Sequence, residues 1–367
     1  MIITALHWQA VSLRFARPFA TSRGRMSDSR SWIVTLETAE GIRGHGEAMP
    51  RCEVASGDRL ASAVEDELLA WRRRLVGHPL AIPDLPVPRS PSEAAVSFAI
   101  ETAVMDALAQ HQGVPLATLL GEPRSAVPVN ATIGSCEPED AAREAAQAAA
   151  AGFPAVKLKV GGRPLTADVA RVAAVREAIG PAVALRLDAN GAWQPDEAVA
   201  ILQALAPYQI DYVEQPVRPG RLAELVWVRK EGGVPIAADE SVTSPAQLVA
   251  LLAAEAVNVV VLKPMVLGGL RRCVALAQLA RTAGVRVVIT SSLESGIGTA
   301  AALHLAAALP ADTPPCGLAT IGLLEHDLLT APLPLDRGVM TLPDRPGLGV
   351  QPDARVLARY RVREDAP

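Results

Sequence analysis

Three acidic residues end successive predicted strands in the second half of the chain. Asp188, Glu214 and Asp239 follow the apolar runs of "AVALRLDAN", "IDYVEQP" and "VPIAADES", at intervals of about 25 residues. Carboxylates that meet repel one another unless a cation lies between them, and oxygen ligands suit a hard divalent ion. The pattern therefore predicts a site for Mg²⁺, or alternatively Mn²⁺, with Asn190 as a supporting residue. Taken singly, each carboxylate could instead be a solvated strand end or a helix cap. Zinc is disfavoured, because none of the six histidines lies at one of these strand ends.

Lysine is scarce in this sequence, and its few positions are informative. The chain has four lysines among 35 basic residues, and three lie in apolar runs: Lys157 and Lys159 in "AVKLKV" and Lys263 in "VNVVVLKP". A partly buried lysine can release its proton near neutral pH, whereas arginine cannot. Desolvation, the ammonium group of Lys157 and a divalent ion would each favour the neutral form of Lys159, which predicts that Lys159 is a general base. The alternative is two solvated lysines on an exposed strand face. Lys230, in "VRKEGG", is predicted to be a surface residue.

From residue 128 onwards, short β-branched runs alternate with Ala-rich helical runs, which predicts repeated βαβ units and a parallel sheet. A barrel gathers the carboxyl ends of its strands on one face, whereas a doubly wound sheet spreads them along a line. The polar residues at six consecutive strand ends therefore favour a barrel: Lys159, Asp188, Glu214, Asp239, Lys263 and Ser291. Lys157 has the parity of Lys159 and faces the same side. Lys263 is four strands further on and belongs to the opposite wall.

The first 127 residues are predicted to be α+β. Strands over 2–15 and 32–37 are joined by a polar loop, "RPFATSRGRMSDSRS", and a third strand runs through "GIRGHGEAMP". Helices are predicted over about 57–75 and 91–111, and the second begins at a serine cap and ends at Gly113.

The composition narrows the class of protein. Of the 367 residues, 50% are hydrophobic and 20% are charged, and the net charge is −4, so we expect a globular chain without a nucleic-acid partner. Four cysteines without a CxxC motif indicate reduced core thiols. The N-terminus does not resemble a signal peptide, and no uninterrupted run of about 18 apolar residues occurs. We therefore expect a cytoplasmic protein without a membrane partner, and its oligomeric state stays open.

The motifs "VKLKVG", "LDANGAW", "VEQPV", "AADES" and "VLKPMVLGG", in this order and spacing, resemble the muconate-lactonizing branch of the enolase superfamily. "RGHGEAMP" is similar to the Gly-x-Gly-Glu strand of that family's capping domain. The resemblance implies an α/β fold: a modified (β/α)₇β TIM-like barrel over 128–325 and an α+β capping domain over 1–127, which the C-terminal segment 326–367 rejoins. It also implies that Asp188, Glu214 and Asp239 bind Mg²⁺, that Lys159 is the base, and that Lys263 faces it across the site.

Within this family, "VNATIG", "TSSLESGIG" and "GLAT" followed by "HDLL" are most similar to the o-succinylbenzoate synthases. These enzymes dehydrate a cyclohexadiene carboxylate to an aromatic ring in menaquinone synthesis. The resemblance implies that Lys159 removes the proton α to the carboxylate and that Lys263 stabilises the resulting enediolate.

Other activities stay open. The same lysines suit 1,1-proton transfer by an N-succinylamino acid racemase or a dipeptide epimerase. Dipeptide epimerases usually carry an Asp-x-Asp motif in the late-strand region, and 291–295 reads Ser-Ser-Leu-Glu-Ser. Muconate cycloisomerase is less favoured, and a non-catalytic carboxylate-binding barrel or scaffold is a remote alternative.

The resemblance also indicates residues that could contact the rest of a small carboxylate substrate. "ATSRGRMSD", over 20–28, looks like the family's mobile capping loop. Arg23 and Arg25 are therefore candidates to meet a succinyl carboxylate, with a solvated basic loop as the alternative. Ser291 and Ser292 offer hydroxyl groups to the same carboxylate. Glu294 is either structural or holds Lys263 in place.

Overall fold

The computed structural model describes residues 1–21, 24–50, 57–134 and 137–362. Its strands, in chain order, are β1 Ile3–Thr21, β2 Gly24–Thr38, β3 Arg43–Ala48, β4 Ala126–Pro128, β5 Asn130–Ile133, β6 Ala155–Lys159, β7 Ala184–Asp188, β8 Ile210–Glu214, β9 Ile236–Ala238, β10 Val259–Leu262, β11 Arg286–Ile289, β12 Leu335–Asp336 and β13 Val339–Thr341. Its helices are α1 Gly57–Leu75, α2 Pro91–Gln112, α3 Pro138–Ala150, α4 Leu165–Ile179, α5 Pro195–Leu205, α6 Leu222–Glu231, α7 Pro245–Ala253, α8 Pro264–Leu267, α9 Leu270–Thr282, α10 Gly296–Ala308 and α11 Ala354–Tyr360. Short 3₁₀ segments lie at Leu116–Leu119, Ala206–Tyr208 and Ile321–Leu323.

The strands β5 to β11 form one parallel sheet in sequence order, and helices connect each strand to the next. Two residues close this sheet into a ring. Cys316 bridges to Val129 beside β5, and Gly317 bridges to Thr290 beside β11, both in parallel. Backbone hydrogen bonds of 2.8 to 3.1 Å accompany the two bridges. The eighth strand of the ring is thus a seam of only two residues, and the predicted (β/α)₇β barrel is confirmed.

The barrel strands are short and almost entirely apolar because the barrel interior covers one face and the helices cover the other. Every residue of β9 and of β10 is buried. Near the amino ends of the strands, Arg186 is fully buried, stacks 4.9 Å above the ring of Tyr212 and donates to Asp211 at 2.9 Å. The charged residues of the predicted site lie instead at the carboxyl ends of the strands, as the sequence predicted.

The antiparallel sheet of β1, β2 and β3 packs against α2. Two glycines of β3 allow this close approach. A Cβ atom at Gly44 would lie 1.9 Å from the carbonyl oxygen of Ala103, and one at Gly46 would lie 2.0 Å from that of Ala99. The sheet therefore lies directly on the helix backbone, and the end of β3 reaches the barrel.

The hairpin of β1 and β2 shows that the prediction of a polar loop between residues 15 and 32 was wrong. Antiparallel pairing continues as far as Thr21 opposite Gly24. The polar side chains of this segment obscure strand alternation in the sequence, but pairing satisfies the backbone hydrogen bonds whatever the side chains are. Arg25 lies in β2 opposite Ala20, although its side chain is outside the described part, and Arg23 lies outside the described residues. Their predicted contacts with substrate stay predictions.

The C-terminal segment runs back over the N-terminal sheet. The side-chain amide of Gln9 donates to the carbonyl of Leu357 in α11 at 2.7 Å, and the amide of Val362 donates to the carbonyl of Ala10 at 2.9 Å. A third small sheet pairs β4 with β13 and β12. The capping domain therefore includes residues from both ends of the chain. The limits at 127 and 325 stay predictions.

Two expectations from composition concern cysteines and membranes. Cys273 and Cys316 are buried free thiols, whereas Cys52 and Cys136 lie outside the described residues. Among the helices described, none is long and apolar enough to cross a membrane.

Candidate active site

A pocket opens at the carboxyl ends of the barrel strands. It encloses about 570 Å³ of space, part of it open to solvent. Its lining includes nine of the residues predicted from sequence: Lys157, Lys159, Asp188, Asn190, Glu214, Asp239, Lys263, Ser291 and Ser292. Chain positions that are far apart in sequence are therefore brought into one cavity, as the spacing of strand ends predicted.

The sheet register places the three acids side by side. Asp188 and Glu214 are the last residues of β7 and β8 and pair directly with one another across the two strands. Asp239 follows the last residue of β9, two positions beyond Ala237, which pairs with Glu214. The three carboxylate residues are at most 5% exposed. Three buried negative charges at adjacent strand ends need positive partners.

Lys159, the predicted base, is held by two oxygen atoms. Its Nζ donates to Oδ2 of Asp188 at 2.6 Å and to Oδ1 of Asn190 at 3.0 Å. Asn190 has a left-handed backbone, with φ of 46°, and its Nδ2 donates to Oε1 of Glu240 at 3.0 Å. Because the carboxylate takes the NH₂ group, the amide must present its oxygen to Lys159. Sequence reasoning missed Glu240, although its position directly after Asp239 in "AADES" was a usable signal.

The other two lysines also pair with the acids. Nζ of Lys157 lies 3.3 Å from Asp188 Oδ2 and 3.2 Å from Glu214 Oε2, and Nζ of Lys263 donates to Asp239 Oδ2. Burial works against the charged form of Lys157, but the carboxylates of Glu214 and Asp188 raise its pKa above the usual value. Lys157 is therefore a fixed cation beside the predicted base.

The surroundings of Asp188 and Glu214 shift their pKa values in opposite directions. Burial opposes ionisation of Asp188, but the ammonium groups of Lys159 and Lys157 hold its pKa below the usual range. Burial, together with the charge of Asp188, raises the pKa of Glu214 to about 8. Asp188 therefore favours its ionised form, whereas Glu214 retains its proton up to about pH 8.

The donor set suits a hard metal ion, although the side chains are not arranged as a ready metal site. Three carboxylates without a histidine or thiolate are the oxygen ligands that Mg²⁺ and Mn²⁺ prefer. Within the described residues, no three acidic, histidine or cysteine side chains are grouped to hold a metal ion. The carboxylates face the three lysines instead. To hold an ion, they would have to turn from these ammonium groups.

The serines and threonines of the pocket supply hydroxyl groups. Oγ of Ser291 and Oγ1 of Thr320 share a hydrogen bond of 2.6 Å. The hydroxyl oxygens of Ser292 and Thr290 are buried and have no hydrogen-bond partner among the described residues, and both residues line the pocket. Neither of these two hydroxyl oxygens is accessible to solvent in this structure. Apart from the three strand-end acids, the described lining contains no carboxylate.

Glu294 lies behind the pocket wall, outside its lining, and is 1% exposed. Its Oε2 accepts from the amide of Ser292, and its Oε1 has no partner among the described residues. Burial, with the nearby carboxyl of Glu47, raises the pKa of Glu294 to about 7. A Cβ atom at Gly298 would lie 2.5 Å from Cγ of Glu294, so the side chain packs tightly against α10. Glu294 thus accepts from the backbone of Ser292, whereas Lys263 donates to Asp239. Together with the close packing, this favours the structural interpretation of Glu294.

Glu47, at the end of β3, joins the capping domain to the barrel. Its carboxyl accepts from the hydroxyls of Ser31 and Ser295, at 2.7 and 2.6 Å. It also accepts from the amides of Ser295 and Gly298, both at 3.0 Å. Sequence reasoning used Glu47 only as part of the Gly-x-Gly-Glu motif, because its barrel partners are about 250 residues away in sequence.

Two family models match most of the chain. Residues 140–356 match the enolase C-terminal domain-like family. Residues 4–121 match the N-terminal domain of the mandelate racemase and muconate lactonizing enzyme family.

Individual proteins of this family are similar to the chain in sequence and in structure. The hydrophobic dipeptide epimerase of Enterococcus faecalis is 35% identical over 95% of this chain and 99% of its own length. The o-succinylbenzoate synthase of Thermobifida fusca is 44% identical over 59% of this chain and 67% of its own length. The structure of the dipeptide epimerase from Enterococcus faecalis V583, complexed with Mg and the dipeptide L-Leu-L-Tyr, matches with a TM-score of 0.85 at 32% identity, over 95% of this chain and 99% of that one. The chain therefore belongs to the enolase superfamily, in the family of mandelate racemase and muconate lactonizing enzyme.

Proposed function

We propose that this chain is a Mg²⁺-dependent lyase that removes the proton α to a carboxylate and then eliminates water, forming o-succinylbenzoate for menaquinone synthesis. The main support for this proposal is the placement of the lysines and carboxylates in the pocket. Lys159 and Lys263 line the same pocket from strand ends four strands apart, with the carboxylates of Asp188, Glu214 and Asp239 between them. A base and a fixed cation on opposite walls suit proton abstraction next to a carboxylate.

Each residue has a defined part in this proposal. Asp188, Glu214 and Asp239 would hold Mg²⁺, or Mn²⁺ in its place, which when bound would acidify the α-proton of the substrate carboxylate. Lys159 accepts that proton. Lys263 supplies a compact positive charge to the oxygen atoms where negative charge develops. Hydroxide then leaves the β-carbon and takes the proton from Lys159, which returns the base to its starting form.

The lining of the pocket supports the synthase over a dipeptide epimerase. A dipeptide brings a free ammonium group, and among the described lining residues the only carboxylates are the three proposed metal ligands. The lining contains three lysines and several serines and threonines, which suit the oxygen atoms of a carboxylate or carbonyl instead. The identity of 44% with the synthase of Thermobifida fusca, although over 59% of this chain, supports the same choice.

A second candidate is 1,1-proton transfer, as in an N-succinylamino acid racemase or a dipeptide epimerase. Lys159 and Lys263 lie on opposite walls of the pocket, so one could deprotonate the α-carbon and the other could reprotonate it from the far face. The epimerase of Enterococcus faecalis, similar over nearly the full chain, supports this candidate.

Incubation with substrates in deuterated water separates the candidates. The protein with Mg²⁺ is given the cyclohexadiene carboxylate, N-succinyl amino acids or hydrophobic dipeptides in separate reactions. We expect aromatisation, followed by ultraviolet absorbance, and no deuterium at the α-carbon of the amino acids or dipeptides. Deuterium incorporation without aromatisation would make the chain a racemase or epimerase. The absence of every reaction would leave a non-catalytic barrel as the better description.

A further inference from the structure

A buried ion pair lies behind the strand end that carries Lys159. Asp168 and Arg171, in the first part of α4, have side chains that are 1% and 4% exposed, and Nη1 of Arg171 lies 3.0 Å from Oδ1 of Asp168. Neither residue lines the pocket. Removing two charges from water is costly, and their mutual attraction often does not repay that cost. The presence of this pair therefore calls for a reason beyond stability.

Both members of the pair bind the backbone of the loop between β6 and α4. Nη2 of Arg171 donates to the carbonyl oxygen of Lys159 at 2.8 Å. Oδ2 of Asp168 accepts from the amide of Gly161 at 2.8 Å. Gly161 has φ of +90°, and a Cβ atom there would lie 2.6 Å from Cβ of Ala192, so this turn is tightly packed against the next loop. The ion pair thus holds the chain on both sides of Val160.

We propose that Asp168 and Arg171 are positioning residues for Lys159. Fixing the carbonyl of Lys159 fixes the direction of its Cα–Cβ bond, and therefore the point that its ammonium group can reach. Arginine suits this task because its planar fork binds a carboxylate and a carbonyl at the same time, whereas the single ammonium of a lysine does not reproduce that geometry. The inference rests on the proposed function for the role of Lys159, but the position of the side chain can be measured without turnover.

The preceding helix offers a matched control. Asp140 and Arg143 in α3 form an ion pair with the same i,i+3 spacing, and their side chains are 47% and 63% exposed. Arg143 has no described hydrogen bond to a strand end. The substitutions Arg171→Lys and Arg143→Lys therefore make the same chemical change at a buried and at an exposed pair.

The test compares these two variants with the parent protein. The parent has four lysines, so protein labelled with ¹³C at lysine Cε gives four side-chain resonances, and each of the two variants adds a fifth from its new lysine. The Lys159 resonance is identified in each protein by its loss when Lys159→Arg is added. In Arg171→Lys we expect the Lys159 resonance to shift and the Gly161 amide to exchange about 10-fold faster or more. We also expect kcat to fall about 10- to 100-fold at a KM that changes less than about twofold, because a small misplacement of a catalytic group has effects of this size. Arg143→Lys should change none of these quantities.

The results that would overturn the positioning role differ from those that would overturn the proposed function. A faster Gly161 amide with an unmoved Lys159 resonance and unchanged kcat would show that the pair is only structural, and would overturn it. If the parent protein turns over no substrate, the proposed function fails, while the resonance and the exchange rate still decide the positioning role. If Arg171→Lys does not fold, the same measurements on Asp168→Asn replace it, and an unmoved Lys159 resonance again overturns the proposal.

Discussion

Lys159 is a residue whose chemistry arginine cannot replace. Arginine retains the positive charge but holds its proton too tightly to act as a base. We expect Lys159→Arg to keep the fold and to lower turnover by about 10²- to 10⁴-fold, the usual contribution of general acid–base catalysis. Circular dichroism and the rate of product formation measure the two effects. Lys230→Arg, the same change at an exposed lysine, should be neutral. Full activity in Lys159→Arg would show that another group is the base.

Glu294 should make stability depend on pH. Its pKa is raised by burial to about 7 in the folded chain, against 4.5 for the ordinary group. The folded state therefore keeps a proton that the unfolded state loses, so this group's contribution to stability is full below about pH 4.5 and is lost as the pH rises to about 7. Relative to Glu294→Gln, the parent should lose up to about 1.4 kcal/mol of unfolding free energy per pH unit in this range. Urea unfolding of both proteins at several pH values measures the difference, and parallel curves would contradict the assignment.

At the scale of elements, the contact between β3 and α2 depends on glycine. Gly46→Ala would place a methyl group against the carbonyl oxygen of Ala99, so the sheet or the helix must shift. We expect a loss of about 1–3 kcal/mol of unfolding free energy, the usual cost of overpacking. Gly322→Ala is the control, because a Cβ atom there has no neighbour within 4 Å. Chemical denaturation of the two variants should separate them clearly, and equal stability would contradict the packing argument.

Helices and strands were predictable where neighbouring residues in the sequence show a clear hydrophobic period or a cap. Hydrophobic periodicity and caps located α2 and the barrel strands, and the parity of Lys157 and Lys159 placed both in the pocket. The parts of β1 and β2 beyond residues 15 and 32 were not predicted, because cross-strand pairing of polar residues leaves no apolar alternation in the sequence. The buried pair Asp168–Arg171 was missed for a similar reason. A D-x-x-R spacing in a helix looks the same whether the helix face is covered or solvated.

At the scale of the whole molecule, we expect Mg²⁺ to stabilise the folded chain. An ion that binds only the folded state at a concentration 100 times its Kd adds about 2.7 kcal/mol. Thermal unfolding with Mg²⁺ and with a chelator measures this stabilisation. Glu214→Gln should lose most of it, whereas Glu231→Gln, at an exposed position, should retain it. If the melting temperature of the parent is the same in both conditions, the three carboxylates do not bind the ion.

The two-residue seam of the barrel has a consequence for biosynthesis. Cys316 and Gly317 join the first and last strands of the sheet, so nearly the whole barrel must leave the ribosome before the ring can close. Until then, the outer edges of β5 and β11 are open to pairing with other chains, which is a route to aggregation. The segment containing α11, which contacts β1, emerges later still. A nascent chain that stops before residue 316 therefore has neither a closed barrel nor a complete capping domain.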